Sequence, residues 1–318
     1  MLIARTLTDL RAACAALRAQ RGSLALVPTM GALHEGHKTL VRTAVASGAA
    51  TVTSIFVNPL QFGASEDLAR YPRDEEGDLA KLRECGCDIV WMPDVATMYP
   101  PDDTTTITVE GPAGRWEGDA RPGHFRGVAT VCCKLFGQVR PDRAYFGEKD
   151  WQQLQVIKRM VADLLLPLEI IGVETVRESD DLALSSRNRF LTADERALAP
   201  TLPQALRAAI ATLKDGRDAE PVLAAIRSHL SQAGFEVDYF ALVDGPSLSP
   251  IPASRPGARL ITAAKLGSVR LLDNMGVGCP AAGEPPPRRS HPGRAARASR
   301  ARAPGTRGGR SSSHRQTR

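Results

Sequence analysis

Apolar runs and stretches of helical spacing alternate through the first 176 residues of this chain. Buried strands are predicted by runs of apolar and β-branched residues at 23–27, 51–57, 88–92, 143–147 and 169–176. Helices are predicted by apolar residues at helical spacing over 9–21, 39–47, 74–84, 128–139 and 151–164. Thr8 is the expected N-cap of the first helix, which Gly22 terminates. Strands that alternate with helices in this way predict an α/β fold, with a Rossmann-like parallel sheet and flanking helices.

A different pattern follows the last of these strands. The segment Thr192-Ala193-Asp194-Glu195 is typical of a capping box at the start of a helix. Further elements are predicted as helices at 193–213 and 218–232, then strands at 235–243, 258–264 and 268–273. We therefore expect a smaller α+β domain over residues 177–278, after the α/β domain over 1–176. Residues 104–109 also alternate with period two and predict a further strand or edge hairpin.

The composition is that of an ordinary globular protein, with 43% hydrophobic and 24% charged residues in a chain of 318. There is no apolar run near 18 residues, so no membrane span is predicted. The N-terminal residues lack the apolar region of a signal peptide, and we expect a cytoplasmic location. The six cysteines contain no Cys-x-x-Cys pair, which favours reduced, mostly buried thiols over a zinc site or a disulfide framework.

The basic net charge of +6 belongs to the last forty residues. Residues 279–318 hold ten arginines and one glutamate, so they contribute +9 and the rest of the chain carries about −3. The same segment contains no Val, Ile, Leu, Met or Phe, which predicts a disordered tail because it cannot bury enough apolar surface to fold. It could be an arm for nucleic acid or an acidic partner, or an extension without a role. No nucleic-acid binding is expected of the folded body.

Candidate chemistry begins with the segment 28–37, which lies between the strand at 23–27 and the next helix. The first N–H groups of a helix have no intrahelical partners and favour an anion, and Gly31 and Gly36 let the backbone approach a ligand. His34 and His37 lie three residues apart, so they would face the same side of the helix. These residues indicate a polyphosphate site with two imidazoles beside it. A zinc pair or a surface turn with incidental histidines remain alternatives from the local residues.

Three further segments carry polar groups at places where ligands bind in open α/β sheets. Gln61, in the loop 58–63 after a predicted strand, can both donate to and accept from a small hydroxy acid. The turn 147–150 offers Lys149 to phosphate and Asp150 to a ribose hydroxyl or a metal, with Gln153 one helical turn later. The segment 185–188 offers two hydroxyls and a guanidinium to a triphosphate. Taken singly, the three would equally suit a solvated loop, a helix cap and a capped turn.

Read together, these segments resemble the pantoate–β-alanine ligase family of the nucleotidyltransferase superfamily. The resemblance rests on residues 28–37, 56–63, 71–73, 125–131, 145–153, 185–188 and 270–274, and it covers about residues 1–276. It implies that pantoate attacks ATP to give pantoyl adenylate and pyrophosphate, after which β-alanine attacks the acyl carbon and AMP leaves. It also implies Mg²⁺ as a cofactor, a homodimer, and a mobile flap, for which the loop 62–73 is a candidate. Residues 1–176 would then bind ATP and pantoate, and residues 177–278 would close over ATP.

The resemblance also implies the site residues. ATP would be bound by Met30, Gly31, Ala32, Leu33, His34, Glu35, Gly36, His37, Gly147, Glu148, Lys149, Asp150, Val176, Leu184, Ser185, Ser186 and Arg187. Catalysis would rest on four of the cationic or imidazole side chains, namely His34, His37, Lys149 and Arg187. Gln61 and Gln153 would bind pantoate, and Gln61 would also lie beside β-alanine. Where the family often has paired aspartates, this chain has Gly77-Asp78, so Asp78 is the candidate metal ligand that remains.

Two departures from the family pattern lie between residues 177 and 188. Asp181 stands where the family usually has Gly, and Leu184 where it has Met. If position 181 requires a positive φ, Asp tolerates it at a modest cost, but its charge could weaken ATP binding. Leu for Met conserves volume. Two other functions remain open, namely a transferase that keeps the nucleotide on its product and an inactive fold used for binding.

Overall fold

A computed structural model describes residues 1–63, 68, 71–213 and 218–278 of the chain. The strands are β1 Leu2–Ala4, β2 Leu24–Thr29, β3 Ala50–Ile55, β4 Ile89–Trp91, β5 Arg143–Gly147, β6 Glu169–Val173, β7 Phe235–Asp244, β8 Ala258–Leu266 and β9 Val269–Gly276. The helices are α1 Leu7–Arg21, α2 Glu35–Ala46, α3 Glu75–Glu84, α4 Val95–Met98, α5 Glu117–Ala120, α6 His124–Val139, α7 Trp151–Asp163, α8 Ala193–Leu198, α9 Thr201–Leu213 and α10 Ala219–Gln232. Short 3₁₀ turns lie at Pro59–Gln61, Glu148–Asp150 and Asn188–Phe190.

The larger sheet is the parallel α/β sheet that the sequence predicts. Its six strands run in the order β1-β4-β3-β2-β5-β6, and all pairs are parallel. Apolar residues of α1, α6 and α7 pack on one face, and those of α2 and α3 pack on the other. The chain moves outwards in opposite directions from β2, since β3 and β5 are its two neighbours. The carboxyl ends of β2 and β5 therefore form the switch point where such sheets bind ligands.

The smaller sheet confirms the predicted α+β region. Strands β7, β8 and β9 form an antiparallel meander, and α9 and α10 pack against it around a separate apolar cluster. A small set of buried residues joins this sheet to Trp116 and Trp151 of the α/β part. All the described residues fall within one compact unit by their contacts, so the domain boundary at 176/177 stays a prediction.

Several local predictions are wrong, each for an identifiable reason. The N-cap of α1 is Thr6 rather than Thr8, because its hydroxyl accepts the Asp9 N–H at 3.2 Å. Residues 104–109 form no strand, since they run along α6 and the Ile107 N–H donates to the Thr130 hydroxyl at 2.9 Å. The predicted helix 193–213 is two helices, because Pro200 lies between them without an N–H to continue the ladder. The sequence pattern does not reveal the three-residue strand β1, because it is too short to show a period.

Two predictions fall on parts of the chain outside the described residues. The tail 279–318 lies entirely outside them, and so do six of the twelve residues of the candidate flap 62–73, namely 64–67, 69 and 70. Among the described residues, no helix combines the length and the apolar character needed to cross a membrane.

Candidate active site

A cavity lies at the carboxyl edge of the parallel sheet, where the switch point predicts a ligand site. Four strands deliver segments to it: β2 leads to Met30, β3 to Phe56, β5 to Gly147 and β6 to Glu174. The loop that returns from β6 adds a fifth segment, at 184–187. The cavity therefore collects residues of the four segments singled out for their chemistry, 28–37, 58–63, 147–150 and 185–188, although these segments span more than 150 residues of chain.

The turn after β2 has a backbone shape that depends on one buried carboxylate. Gly31 and Ala32 have φ values of 83° and 51°, in the left-handed region. Asp78 of α3, 1% exposed, accepts the N–H of Ala32 at 2.7 Å and that of Leu33 at 2.8 Å. A Cβ at position 31 would lie 3.0 Å from the Asp78 carboxylate. Glycine is thus needed here for conformation and for the close approach of the carboxylate.

The two histidines cap α2 reciprocally. The Gly36 N–H donates to Nδ1 of His34 at 3.1 Å, and the His34 N–H donates to Nδ1 of His37 at 3.3 Å. Because a backbone N–H can only donate, both Nδ1 atoms are unprotonated, and each neutral ring carries its proton on Nε2. Burial, helped by the neighbouring His34, lowers the pKa of His37 to about 3, and burial with the charge of Lys149 lowers the pKa of His34. Both rings line the cavity as neutral donors.

Gln61 is oriented by a residue whose role the sequence did not show. Asn58, 1% exposed, donates to Oε1 of Gln61 at 3.0 Å and to the Gly127 carbonyl at 3.1 Å, and it accepts the Tyr99 hydroxyl at 2.8 Å. Nε2 of Gln61 lies 3.1 Å from the Met30 sulfur, a weak acceptor. The Gln61 amide therefore offers its N–H groups to a ligand oxygen, because its carbonyl is already engaged.

Apolar side chains also line the cavity, and sequence reasoning missed this apolar wall as part of the site. It is formed by Leu40, Phe56, Val128, Val131, Cys132, Leu135 and Phe146. Burial raises the pKa of the Cys132 thiol to about 12, so this group stays protonated and acts as an apolar side chain. The helical spacing of 128, 131, 132 and 135 on α6 predicts one buried face, but the spacing alone cannot tell a cavity wall from the core.

The turn after β5 places Lys149 and Asp150 at the cavity and points Glu148 elsewhere. Nζ of Lys149 lies 3.8 Å from the Asp150 carboxylate. Desolvation acts to raise the pKa of Asp150, but the charges of Lys149 and Arg187 outweigh it and hold the pKa below its ordinary value. Glu148 instead pairs with Arg259 of β8 at 3.1 Å. The turn thus brings one cation and one ionised carboxylate to the cavity.

The loop 177–188 carries the remaining polar groups and contains the unusual Asp181. Residue 181 has a φ of 74°, so the position does require the left-handed conformation that a family glycine provides. The Asp181 carboxylate accepts two hydrogen bonds from Arg207 of α9 and lies 3.7 Å from Nε of Arg177. Arg207 holds the pKa of Asp181 below its ordinary value. The negative charge that Asp181 brings is therefore balanced within the loop and α9.

Most of the predicted site residues line the cavity. Those that do are Met30, His34, Gly36, His37, Gln61, Gly147, Lys149, Asp150, Gln153, Val176, Leu184, Ser185, Ser186 and Arg187. The lining does not include Gly31, Ala32, Leu33, Glu35, Glu148 or Asp78. The first three shape the turn, Glu35 pairs with Arg42 and Lys38, and Glu148 pairs with Arg259. Tyr71, Glu174 and Thr175 line it as well, without having been assigned a role from the sequence.

The side chains around the cavity limit how a metal ion could be bound. Both oxygens of Asp78 already accept backbone N–H groups, which makes it a support for the turn at 31–33. Within the described ranges, no group of three or more His, Cys, Asp or Glu side chains is placed to bind a metal ion. Mg²⁺ commonly binds through one or two carboxylates together with substrate phosphates and water. Asp150 fits that pattern, since it is the ionised carboxylate beside Lys149 at the cavity.

Comparisons with known proteins agree with the geometry. The family model described as pantoate–β-alanine ligase matches residues 2–276. A pantothenate synthetase of Granulibacter bethesdensis is 61% identical over 278 residues, covering 87% of this chain and 97% of the relative. The crystal structure of the Thermus thermophilus pantothenate synthetase superimposes with a TM-score of 0.82 at 47% identity, covering 87% of this chain and 99% of that one. That of the Francisella tularensis pantoate–β-alanine ligase, in complex with β,γ-ATP and β-alanine, has a TM-score of 0.71 at 32% identity, covering 86% and 97%.

Proposed function

We propose that this chain, which belongs to the pantoate–β-alanine ligase family, condenses pantoate with β-alanine in a reaction that consumes ATP. The products are pantothenate, AMP and pyrophosphate, and pantoyl adenylate is the intermediate. The observation that carries this proposal is the mixed lining of one cavity. The lining includes cations and neutral N–H donors, which we take as one part of the cavity, and two glutamines with the apolar wall, which we take as the other.

The first part of the cavity suits a nucleoside triphosphate. Nε2–H groups of His34 and His37, the Lys149 ammonium and the Arg187 guanidinium can all donate to phosphate oxygens. Ser185 and Ser186 add hydroxyls. We assign ATP binding to the residues that the resemblance implies, and within that set the catalytic roles to His34, His37, Lys149 and Arg187.

The second part suits a small branched hydroxy acid. Gln61, oriented by Asn58, donates to a hydroxyl or carboxylate oxygen, and Gln153 supplies a second amide. The apolar wall from α6 suits the methyl groups of pantoate. Binding both reactants in one cavity holds the two anions in a reactive arrangement. This positioning alone can lower the activation free energy by several kcal/mol.

In the first step, a pantoate carboxylate oxygen forms a bond to the α-phosphorus, and the bond from that phosphorus to the pyrophosphate oxygen breaks. Negative charge grows on the leaving pyrophosphate, and the four donors face it. The neutral His37 begins as a hydrogen-bond donor through Nε2. A bound polyphosphate raises its pKa, because a nearby negative charge favours the protonated ring.

In the second step, the amine of β-alanine forms a bond to the acyl carbon, and the bond from that carbon to the AMP oxygen breaks. As the amide forms, the amine gives its proton to a phosphate oxygen of the departing AMP, which gains negative charge in this step. Gln61 lies at the junction of the two parts of the cavity, in contact with Met30 of the phosphate-binding turn. We therefore assign it to both acids. Water must be excluded until β-alanine reacts, because it would hydrolyse the adenylate. We assign this role to the flap 62–73.

Mg²⁺ is proposed as a companion of ATP. It would neutralise phosphate charge when bound, with Asp150 the carboxylate available from this chain. Asp78, the candidate ligand from the sequence, would act on the turn at 31–33 instead. We further propose a cytoplasmic homodimer, on the resemblance to the family, and light scattering of the purified protein would test the dimer.

The test of the function is a product assay with ATP, Mg²⁺ and pantoate, with and without β-alanine. AMP that forms only when both acids are present supports the ligase. Pyrophosphate without AMP, and with the nucleotide kept on the pantoate product after β-alanine is added, would indicate the transferase instead. No turnover with any combination would contradict both and leave a binding protein.

A further inference from the structure

Two neighbouring residues of β9 contact the turn 147–150 and the base of the loop 177–188, although neither lies among the assigned site residues. Asp273 is 2% exposed and Asn274 is 4% exposed. Side chains of this kind are buried only when their hydrogen bonds are satisfied. Their partners show what the pair does.

Asn274 holds the turn that presents Lys149. Its Nδ2 donates to the carbonyl of Glu148 at 3.0 Å and to that of Lys149 at 2.8 Å. Its Oδ1 accepts from Nε of Arg259 at 2.5 Å. A guanidinium can only donate and a carbonyl can only accept, so these three partners leave one possible orientation of the amide.

Arg259 holds the same turn from a second side. Its guanidinium lies 3.5 Å from the centroid of the Trp151 ring and pairs with Glu148 at 3.1 Å. Trp151 is the first residue of α7 and follows Asp150 directly. The backbone of 148 and 149 and the side chains on either side of Lys149 and Asp150 are thus bound to β8 and β9.

Asp273 holds the loop that presents Arg187. Its carboxylate pairs with both terminal nitrogens of Arg177, at 2.8 and 2.9 Å. Arg177 in turn donates to the Asp181 carbonyl at 3.0 Å, and the Leu184 N–H donates to the Val176 carbonyl at 3.0 Å. The two arms of the loop are therefore joined at the base, next to the residues that line the cavity.

We propose that Asn274 and Asp273 are positioning residues, which fix the spacing between Lys149 and the 185–187 segment across the triphosphate. Adjacent positions of one strand are about 3.3 Å apart and rigid, so they make a fixed link between two loops. Asn274 acts through Lys149, and Asp273 acts through Arg177 and its loop. This inference rests on the proposed function, because it takes these segments to bind the phosphates of ATP.

The decisive variant is Asn274→Asp, which removes both donors yet keeps an acceptor for Arg259. We expect the KM for ATP to rise about tenfold or more, the range that the loss of buried hydrogen bonds produces. The KM for pantoate should stay within about twofold, since no bond of Asn274 reaches the pantoate side. A general loss of structure would raise both constants together.

Three companion variants keep the result interpretable. Asn274→Ser is neutral and shorter, so it should raise the KM for ATP as well. If the KM for ATP were unchanged in Asn274→Ser, the new charge alone would explain the Asp variant, and the proposal would be overturned.

Thr262→Val serves as the matched control, because Thr262 is a buried residue of β8 whose hydroxyl donates to the Tyr239 carbonyl at 3.0 Å. It removes one buried hydrogen bond from the same sheet and should leave both constants unchanged.

The last companion is the pair of Asn274→Asp with Lys149→Ala. If Asn274 acts through Lys149, the Asn274 substitution should change the KM for ATP little once Lys149 is gone. If the increases in the KM for ATP from the two single substitutions multiplied in the double variant, the proposal would be contradicted. Formation of pantothenate by the wild-type protein, measured in parallel, separates this outcome from a failure of the proposed function itself.

Discussion

The two halves of the proposed phosphate-binding surface are held in different ways. The turn 28–37 is held by contacts of shorter reach along the chain. His34 and His37 cap the start of α2, Gln61 contacts Met30 from 31 residues away, and Asp78 accepts the N–H groups of Ala32 and Leu33 from 46 and 45 residues away. The turn 147–150 and the loop 177–188 contact β8 and β9 through residues that lie 96 to 126 positions further along the chain. The first half therefore depends on contacts that are closer in the sequence, and the second depends on contacts with the small sheet.

This difference separates two kinds of substitution. Some should change only the groups that contact the substrates, and others should change where those groups are held. A change within 28–37 alters the donors but leaves the small sheet intact. A change in β9 alters the position of donors that are themselves unchanged. Single substitutions can test each side of this comparison.

The largest effect is expected for His37→Ala. It removes an Nε2–H donor that faces the developing charge, and losses of one such donor typically cost about 10²–10³ in kcat. Steady-state AMP formation measures it. His37→Asn, which keeps a polar side chain at the helix start, should recover thermal stability without recovering the rate. A rate near that of the wild type in either variant would remove His37 from the mechanism.

The next largest is expected for Asp78→Asn. The amide turns an N–H group towards one of the two N–H groups of Ala32 and Leu33, and a buried unsatisfied donor costs about 1–3 kcal/mol. We expect weaker ATP binding, measured by titration calorimetry. We also expect a lower free energy of unfolding, measured by urea denaturation. Asp74→Asn is the matched control, because Asp74 caps α3 through the Gly77 N–H at 3.0 Å and asparagine caps equally well. If both variants behaved alike, the support of the turn by Asp78 would be contradicted.

A third effect concerns the pH dependence of stability. The pKa of His37 is lowered to about 3 in the folded protein, while the unfolded chain binds a proton near the ordinary value of 6.5. The unfolded state therefore binds more protons between these limits, so His37 lowers stability as the pH falls from 6.5 towards 3. The difference in free energy of unfolding between wild type and His37→Asn should shift in favour of the variant over that range. A difference that stays constant with pH would contradict the burial of a neutral ring.

The smallest effect is expected at Asp181, on the side held by distant contacts. Asp181→Gly removes the ion pair with the exposed Arg207 but relieves a positive φ, and each effect is worth about 1 kcal/mol or less. Stability and the KM for ATP should then change little. Asp181→Ala loses the pair without relieving the backbone, so it should be less stable than the glycine variant in thermal unfolding. An alanine variant as stable as the glycine variant would show that the φ at 181 carries no cost.

The same contrast explains what could be predicted from the sequence. The parallel sheet and the turn 28–37 follow from local patterns and turn chemistry, and the structure bears them out. The positive φ at Asp181 was conditional on the resemblance to a family that usually has glycine there, and the structure shows it. Asn58 and Asn274 could not be found in this way, since their roles depend on partners about 70 and 125 residues distant. The alternation at 104–109 is misleading because the Ile107 N–H donates to the Thr130 side chain of α6 rather than to a neighbouring strand.

The adenylate mechanism depends on which bond pantoate makes with ATP. Pantoate labelled with ¹⁸O in its carboxylate, incubated with ATP, Mg²⁺ and β-alanine, tests it by mass spectrometry of the products. Attack on the α-phosphorus followed by release of AMP leaves one labelled oxygen in AMP, which is the result we predict. Label in inorganic phosphate, with AMP unlabelled, would show attack on the terminal phosphate and would contradict the adenylate mechanism.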